Sequence, residues 1–142
     1  MESNIEFFNE DTGLPQIDFP LVSKWIVEII EDKLMSCGPL SIIFCSDDYL
    51  LNINQQYLNH DYHTDIITFN YSSRRIISGD LFISTDTVRT NADIFKVSFT
   101  QELVRVIFHG ILHLLGWDDH SEGEKLEMRN MENFWLHKFS LQ

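Results

Sequence analysis

Apolar residues along this 142-residue chain recur at two periods, and the switches between them mark out its elements. Ile5 and Phe7 alternate with polar neighbours, which predicts a first strand. Pro20 fits the first turn of a helix, and Leu21, Val22, Trp25, Ile26, Ile29 and Ile30 follow at helical spacing to about residue 34. Cys37-Gly38-Pro39 should stop that helix, and the run LSIIFC over 40–45 reads as a buried strand. Asp47 is expected to cap a helix through Leu58 that carries Leu50, Leu51, Ile53, Asn54 and Tyr57. The polar stretch NHDYHTD, 59–65, reads as a turn. Residues 66–71 and 76–84 then read as strands joined by a hairpin connection at 72–75, with Gly79 as a bulge.

The second half is mostly helical. Residues 85–96 form one predicted helix. Ser98-Phe99-Thr100-Gln101 has the pattern of a capping box and opens another. That helix is apolar on nearly every side, through Leu103, Val104, Val106, Ile107, Phe108, Ile111, Leu112, Leu114 and Leu115, as expected of a buried central helix. Gly116 should end it in the left-handed conformation. A second capping box at Ser121 and Glu124 opens the last helix, with Met128, Met131, Phe134, Trp135 and Phe139 expected to face inward. The pattern describes a layered α+β or α/β domain. We take it as a single α+β domain over residues 1–142, with a mixed sheet of about four strands packed with helices.

Ten basic against 22 acidic residues give a net charge of −12, which excludes a general basic coat for nucleic acid but not a local strip or a metal-centred site. Two cysteines, Cys37 and Cys45, exclude a disulfide scaffold and read as thiols in a reducing compartment. The acidic start MESNIEFFNEDTG has no signal-peptide pattern, and no run of 18 apolar residues occurs, so a cytoplasmic protein without membrane contact is expected.

The candidate chemistry lies in HGILHLLGWDDH, residues 109–120. His109 and His113 are four apart, so a helix places both imidazoles on one face where two nitrogens can share a metal. Burying both without partners would cost a few kcal/mol. Asp118, Asp119 and His120 follow the expected reversal at Gly116. A third ligand from this bend would leave an open position for water, as in catalytic zinc sites. Zinc peptidases carry a Glu base directly after the first His; here that residue is Gly110, so the base must come from elsewhere or from the metal-activated water itself. Glu102, seven residues before His109, could reach the site or orient a ligand, or serve as a solvated first-turn acid. Asp118 and Asp119 are the other candidate bases.

The stretch resembles the signature of the YbeY family of metal-dependent endoribonucleases, His-Gly-x-Leu-His-Leu-x-Gly-Tyr-Asp-His. The resemblance extends upstream through Leu51-Asn52, Tyr57, Asp61 and 64–69 (TDIITF), and through GDLFIS at 79–84. It implies a small α+β domain holding one Zn2+ per chain through three residues, the first two being His109 and His113. The family's last His falls at Asp119, and a histidine sits one later at His120, so both stand as third-ligand candidates. It also implies action on single-stranded rRNA near the small-subunit 3′ end, in rRNA maturation and ribosome quality control, with ribosomal partners and no DNA. An Arg common in the family is Leu58 here; His60, His63, Arg74, Arg75 and Arg89 are the candidates to replace its phosphate contact. Metal-dependent peptide or amide hydrolysis, and a non-catalytic ribosome-assembly role with a structural metal, are the alternative readings.

Overall fold

The computed structural model of the protein describes residues 4–59 and 64–141. In chain order the elements are β1 (Ile5–Asn9), α1 (Phe19–Asp32), β2 (Ser36–Cys45), α2 (Asp47–Leu58), β3 (Ile66–Asn70), β4 (Ile76–Ser84), α3 (Thr85–Phe95), α4 (Phe99–Leu114) and α5 (Glu122–Ser140). The strands form one mixed sheet in the order β1-β2-β4-β3. β1–β2 and β2–β4 are parallel, and β3–β4 is an antiparallel hairpin that leaves β3 at an edge. This is the α+β domain with a four-stranded mixed sheet that the periodicity predicts.

The two faces of the sheet follow from strand alternation. Leu40, Ile42, Phe44, Ile77, Leu81 and Ile83 point into the main core with the apolar faces of α1, α4 and α5. Cys45 and Ile67 point the other way, under Leu50 and Ile53 of α2. Helix α4 is the centre of the main core: Leu103, Val104, Ile107, Phe108, Ile111 and Leu112 are fully buried. Gly110 is required for this approach, since a Cβ there would lie 2.6 Å from Leu81 and 2.7 Å from Ile66.

Several boundaries differ from the sequence expectation. α1 ends at Asp32 with Leu34 left-handed (φ 61), and β2 already begins at Ser36, so Cys37-Gly38-Pro39 lies inside a strand and does not terminate the helix. Hydrogen bonding to the hairpin captures the segment, as Ser36 N–H donates to the Arg75 carbonyl at 2.7 Å. The irregularity in pairing falls between Cys37 and Leu40 on β2, not at Gly79. Gly79 serves close approach instead: a Cβ would lie 2.4 Å from the Phe69 carbonyl oxygen and 3.1 Å from Leu114. Gly79→Ala should therefore cost about 1–3 kcal/mol, as overpacking that displaces backbone, read as a lower urea midpoint with unchanged slope. Ser46, not Asp47, caps α2, its side chain accepting from Tyr49 N–H; Asp47 instead accepts from Ser84 and Thr87, each at 2.5 Å. Phe134 is 54% exposed, because α5 presents only Met128, Glu132 and Trp135 as buried residues.

Candidate metal centre

Helix α4 presents His109 and His113 one turn apart, and its C-terminus builds the rest of the cluster. Gly116 is left-handed (φ 101). Gly116 N–H donates to the His113 carbonyl at 2.9 Å and Trp117 N–H to the Leu112 carbonyl at 3.0 Å, the paired bonds of a Schellman cap. The chain thereby turns back over the last turn of α4. The Trp117 carbonyl accepts from His113 Nδ1 at 2.8 Å, and Asp119 returns to the imidazoles. Asp119 Oδ2 lies 3.3 Å from His109 Nε2 and 3.5 Å from His113 Nε2, and the two Nε2 atoms are 2.9 Å apart.

Behind the first histidine is a buried polar network. Glu132 of α5 accepts from His109 Nδ1 at 2.5 Å through one oxygen and from Arg105 Nη1 at 2.7 Å through the other. Arg105 also donates through Nε and Nη2 to Glu102, at 2.9 and 2.5 Å. Burial opposes charge on Glu132, but the bonds and charges of His109 and Arg105 prevail and hold its carboxyl below the ordinary value. Burial likewise opposes the Arg105 charge, and its two glutamates outweigh that, raising it above its ordinary value. Asp65, just before β3, is pushed above the usual carboxylate value by burial, against the opposing pull of His109 and Arg105.

These bonds fix what the cluster can hold. Each Nδ1 faces an acceptor that carries no hydrogen, so in the neutral imidazole each Nδ1 bears the proton and each Nε2 presents a lone pair. Two lone pairs and a carboxylate oxygen then converge. A proton satisfies one pair only; a cation satisfies all three. A tetrahedral ion with bonds of about 2.0–2.1 Å sets its ligand atoms about 3.3 Å apart, close to the two carboxylate–imidazole edges of the triangle above and wider than its Nε2–Nε2 edge. His109, His113 and Asp119 thus form a group able to hold a metal ion.

The other residues singled out in the sequence take different places. His120 is outside this group, exposed, and beside Glu124 at the start of α5. Asp118 is exposed. Glu102 is 2% exposed and bonded to Arg105, so it is not a solvated first-turn acid. Leu58 is 39% exposed at the end of α2. Arg75 donates to the Leu34 carbonyl at 3.2 Å, Arg89 lies 4.5 Å over the Phe99 ring, and Arg74 occupies the β3–β4 turn. His60, Asp61 and His63 lie outside the described residues. Arg105 and Glu132, which sequence reasoning did not single out, complete the cluster. Arg105 shares a helical face with His109, but nothing in the sequence joins Glu132 to either. Two grooves of about 480 and 460 Å3 open elsewhere, between α1 and α5 and across the outer face of the hairpin, and none of the three clustered residues lines them.

Fold and cluster together define a small α+β domain with a three-residue, partly buried candidate metal site at the end of a central helix. The family model described as Endoribonuclease YbeY matches residues 5–140. Similar proteins named Endoribonuclease YbeY are 51% identical over 91% of both chains in Parabacteroides distasonis, and 47% identical over 96% of this chain and 99% of its relative in Phocaeicola vulgatus. A solution structure of a Thermotoga maritima protein superposes with a TM-score of 0.66 at 26% identity, covering 95% of this chain and 88% of the other. The chain belongs to the YbeY endoribonuclease family.

Proposed function

We propose that this protein is a zinc-dependent endoribonuclease that cuts single-stranded RNA in rRNA maturation and ribosome quality control. The observation that carries the reading is the triangle of His109 Nε2, His113 Nε2 and Asp119 Oδ2, three potential ligand atoms gathered at one point. Two imidazoles and one carboxylate suit zinc, and a bound ion would supply Lewis acidity to a phosphodiester and ready a water for attack. The chain's own groups do the rest. Glu132 and the Trp117 carbonyl hold the two rings in the tautomer that presents Nε2. Asp65 and Asp118 are the carboxylates offered for proton transfer, one half-buried beside the site and one exposed. Asp65→Asn and Asp118→Asn separate them: the proton carrier loses turnover by about 10²–10⁴-fold with its metal content unchanged.

The net charge of −12 works against a polyanion, and Arg105, the guanidinium beside the site, is committed to two glutamates. Free RNA should therefore bind weakly, and docking on the ribosome in the cytoplasm would supply the missing affinity. The test is cleavage of a single-stranded RNA and of a peptide, with and without chelator, beside zinc analysis of wild type, Asp119→Ala and His120→Ala. Expected are chelator-sensitive RNA cleavage and zinc loss in Asp119→Ala alone. Cleavage that survives complete zinc removal overturns the reading.

A further inference from the structure

Two glutamates, 2% exposed each, share a single guanidinium beneath the candidate metal centre. Arg105 grips both oxygens of Glu102 and one oxygen of Glu132, and the second Glu132 oxygen bonds His109 Nδ1. We propose that Glu102 and Arg105 are positioning residues for the metal centre, acting through Glu132 to fix the tautomer and orientation of the His109 ring. This rests on the metal reading above and assigns its inner support.

Charge counting carries the inference. A brace joining α4 to α5 is complete with one ion pair, Arg105 and Glu132. Adding Glu102 sets a second buried carboxylate against the one guanidinium inside, which carries a desolvation cost and leaves the buried members of the network with one negative charge in excess. Arg129, 3.9 Å from Glu132 Oε1, also faces it, but its side chain is half exposed and water screens its charge, and Asp65 adds a further acid close by. The excess therefore stands against His109 and favours a cation at its far nitrogen. His113 differs: its Nδ1 meets the neutral Trp117 carbonyl. The two imidazoles are unequal ligands, with His109 the more electron-rich. An anionic partner on the remote ring nitrogen makes a histidine a stronger donor, and loss of such a partner typically weakens metal binding 10–100-fold.

The experiment uses the full chain with Glu132→Gln and Glu102→Gln, the second preserving shape while removing charge. Zinc affinity is read by chelator competition, and the ring nitrogens of His109 and His113 by 15N NMR on zinc-free protein. Glu132→Gln should weaken zinc 10–100-fold and end the dominance of the Nδ1–H tautomer at His109, because an amide can donate as well as accept. Glu102→Gln should weaken zinc about tenfold and shift the His109 nitrogens while leaving those of His113 in place. If Glu132→Gln fails to fold, Glu102→Gln alone decides. His109 nitrogens and zinc affinity both unchanged in Glu102→Gln, with only a lower Tm, overturn the proposal and leave a structural brace. A wild type that takes up no zinc overturns the metal reading instead, and the zinc-free NMR comparison still judges the positioning role.

Discussion

Arg105→Met should destabilise the protein by about 3–5 kcal/mol, measured by urea unfolding at pH 7. The side chain it removes is the shared partner of Glu102 and Glu132, both 2% exposed, and its loss leaves two carboxylates facing each other inside the molecule. The pH dependence has a definite sign. In the wild type Glu132 is held below its ordinary value, so its contribution is present above the unfolded-state pKa and fades as pH falls through the folded one. In Arg105→Met the same carboxyl is raised, so the variant gains stability relative to wild type as the solution is acidified. Adding Glu102→Gln and Glu132→Gln should recover most of the loss, because neutral amides do not repel. A single variant as stable as wild type would mean that water reaches the network freely.

His113→Ala should abolish stoichiometric zinc and lower RNA cleavage by at least about 100-fold, beyond the effect expected for losing a supporting hydrogen bond. The fold should survive. The His113 side chain is 24% exposed at the end of α4, and among the described residues its hydrogen-bond partner besides the cluster is a carbonyl that water can serve. His109→Ala should lose zinc as well and also lower Tm, since it strips Glu132 of a partner in the interior. Metal analysis after dialysis, gel-based cleavage and thermal unfolding on the two variants check both statements.

The sequence was most legible where one element's own periodicity decides its fate. The apolar circumference of α4, the left-handed Gly116 and the capping box at Ser121 are local patterns, and each is present where the pattern places it. Helical spacing brought His109 and His113 onto one face, and the Schellman cap explains why Asp119, not His120, meets them: the reversal fixes which residue of the bend points back. Legibility failed where a distant segment intervenes. Pairing with β4 turned Cys37-Gly38-Pro39 into strand. Glu102 read as a residue reaching the site, an orienter of a ligand or a solvated acid, and sequence could not choose among these because its partner Arg105 is held in turn by Glu132 on another helix.

The order of synthesis gives that last contact a further meaning. All three clustered residues precede α5, yet the group that sets the His109 ring comes from the middle of that helix. A nascent chain truncated at residue 121 would already contain both imidazoles and the Asp119 carboxylate, but nothing would select which nitrogen of His109 is free. Competence therefore matures only when the final helix docks, so unfinished or C-terminally clipped copies should be poor scavengers of metal.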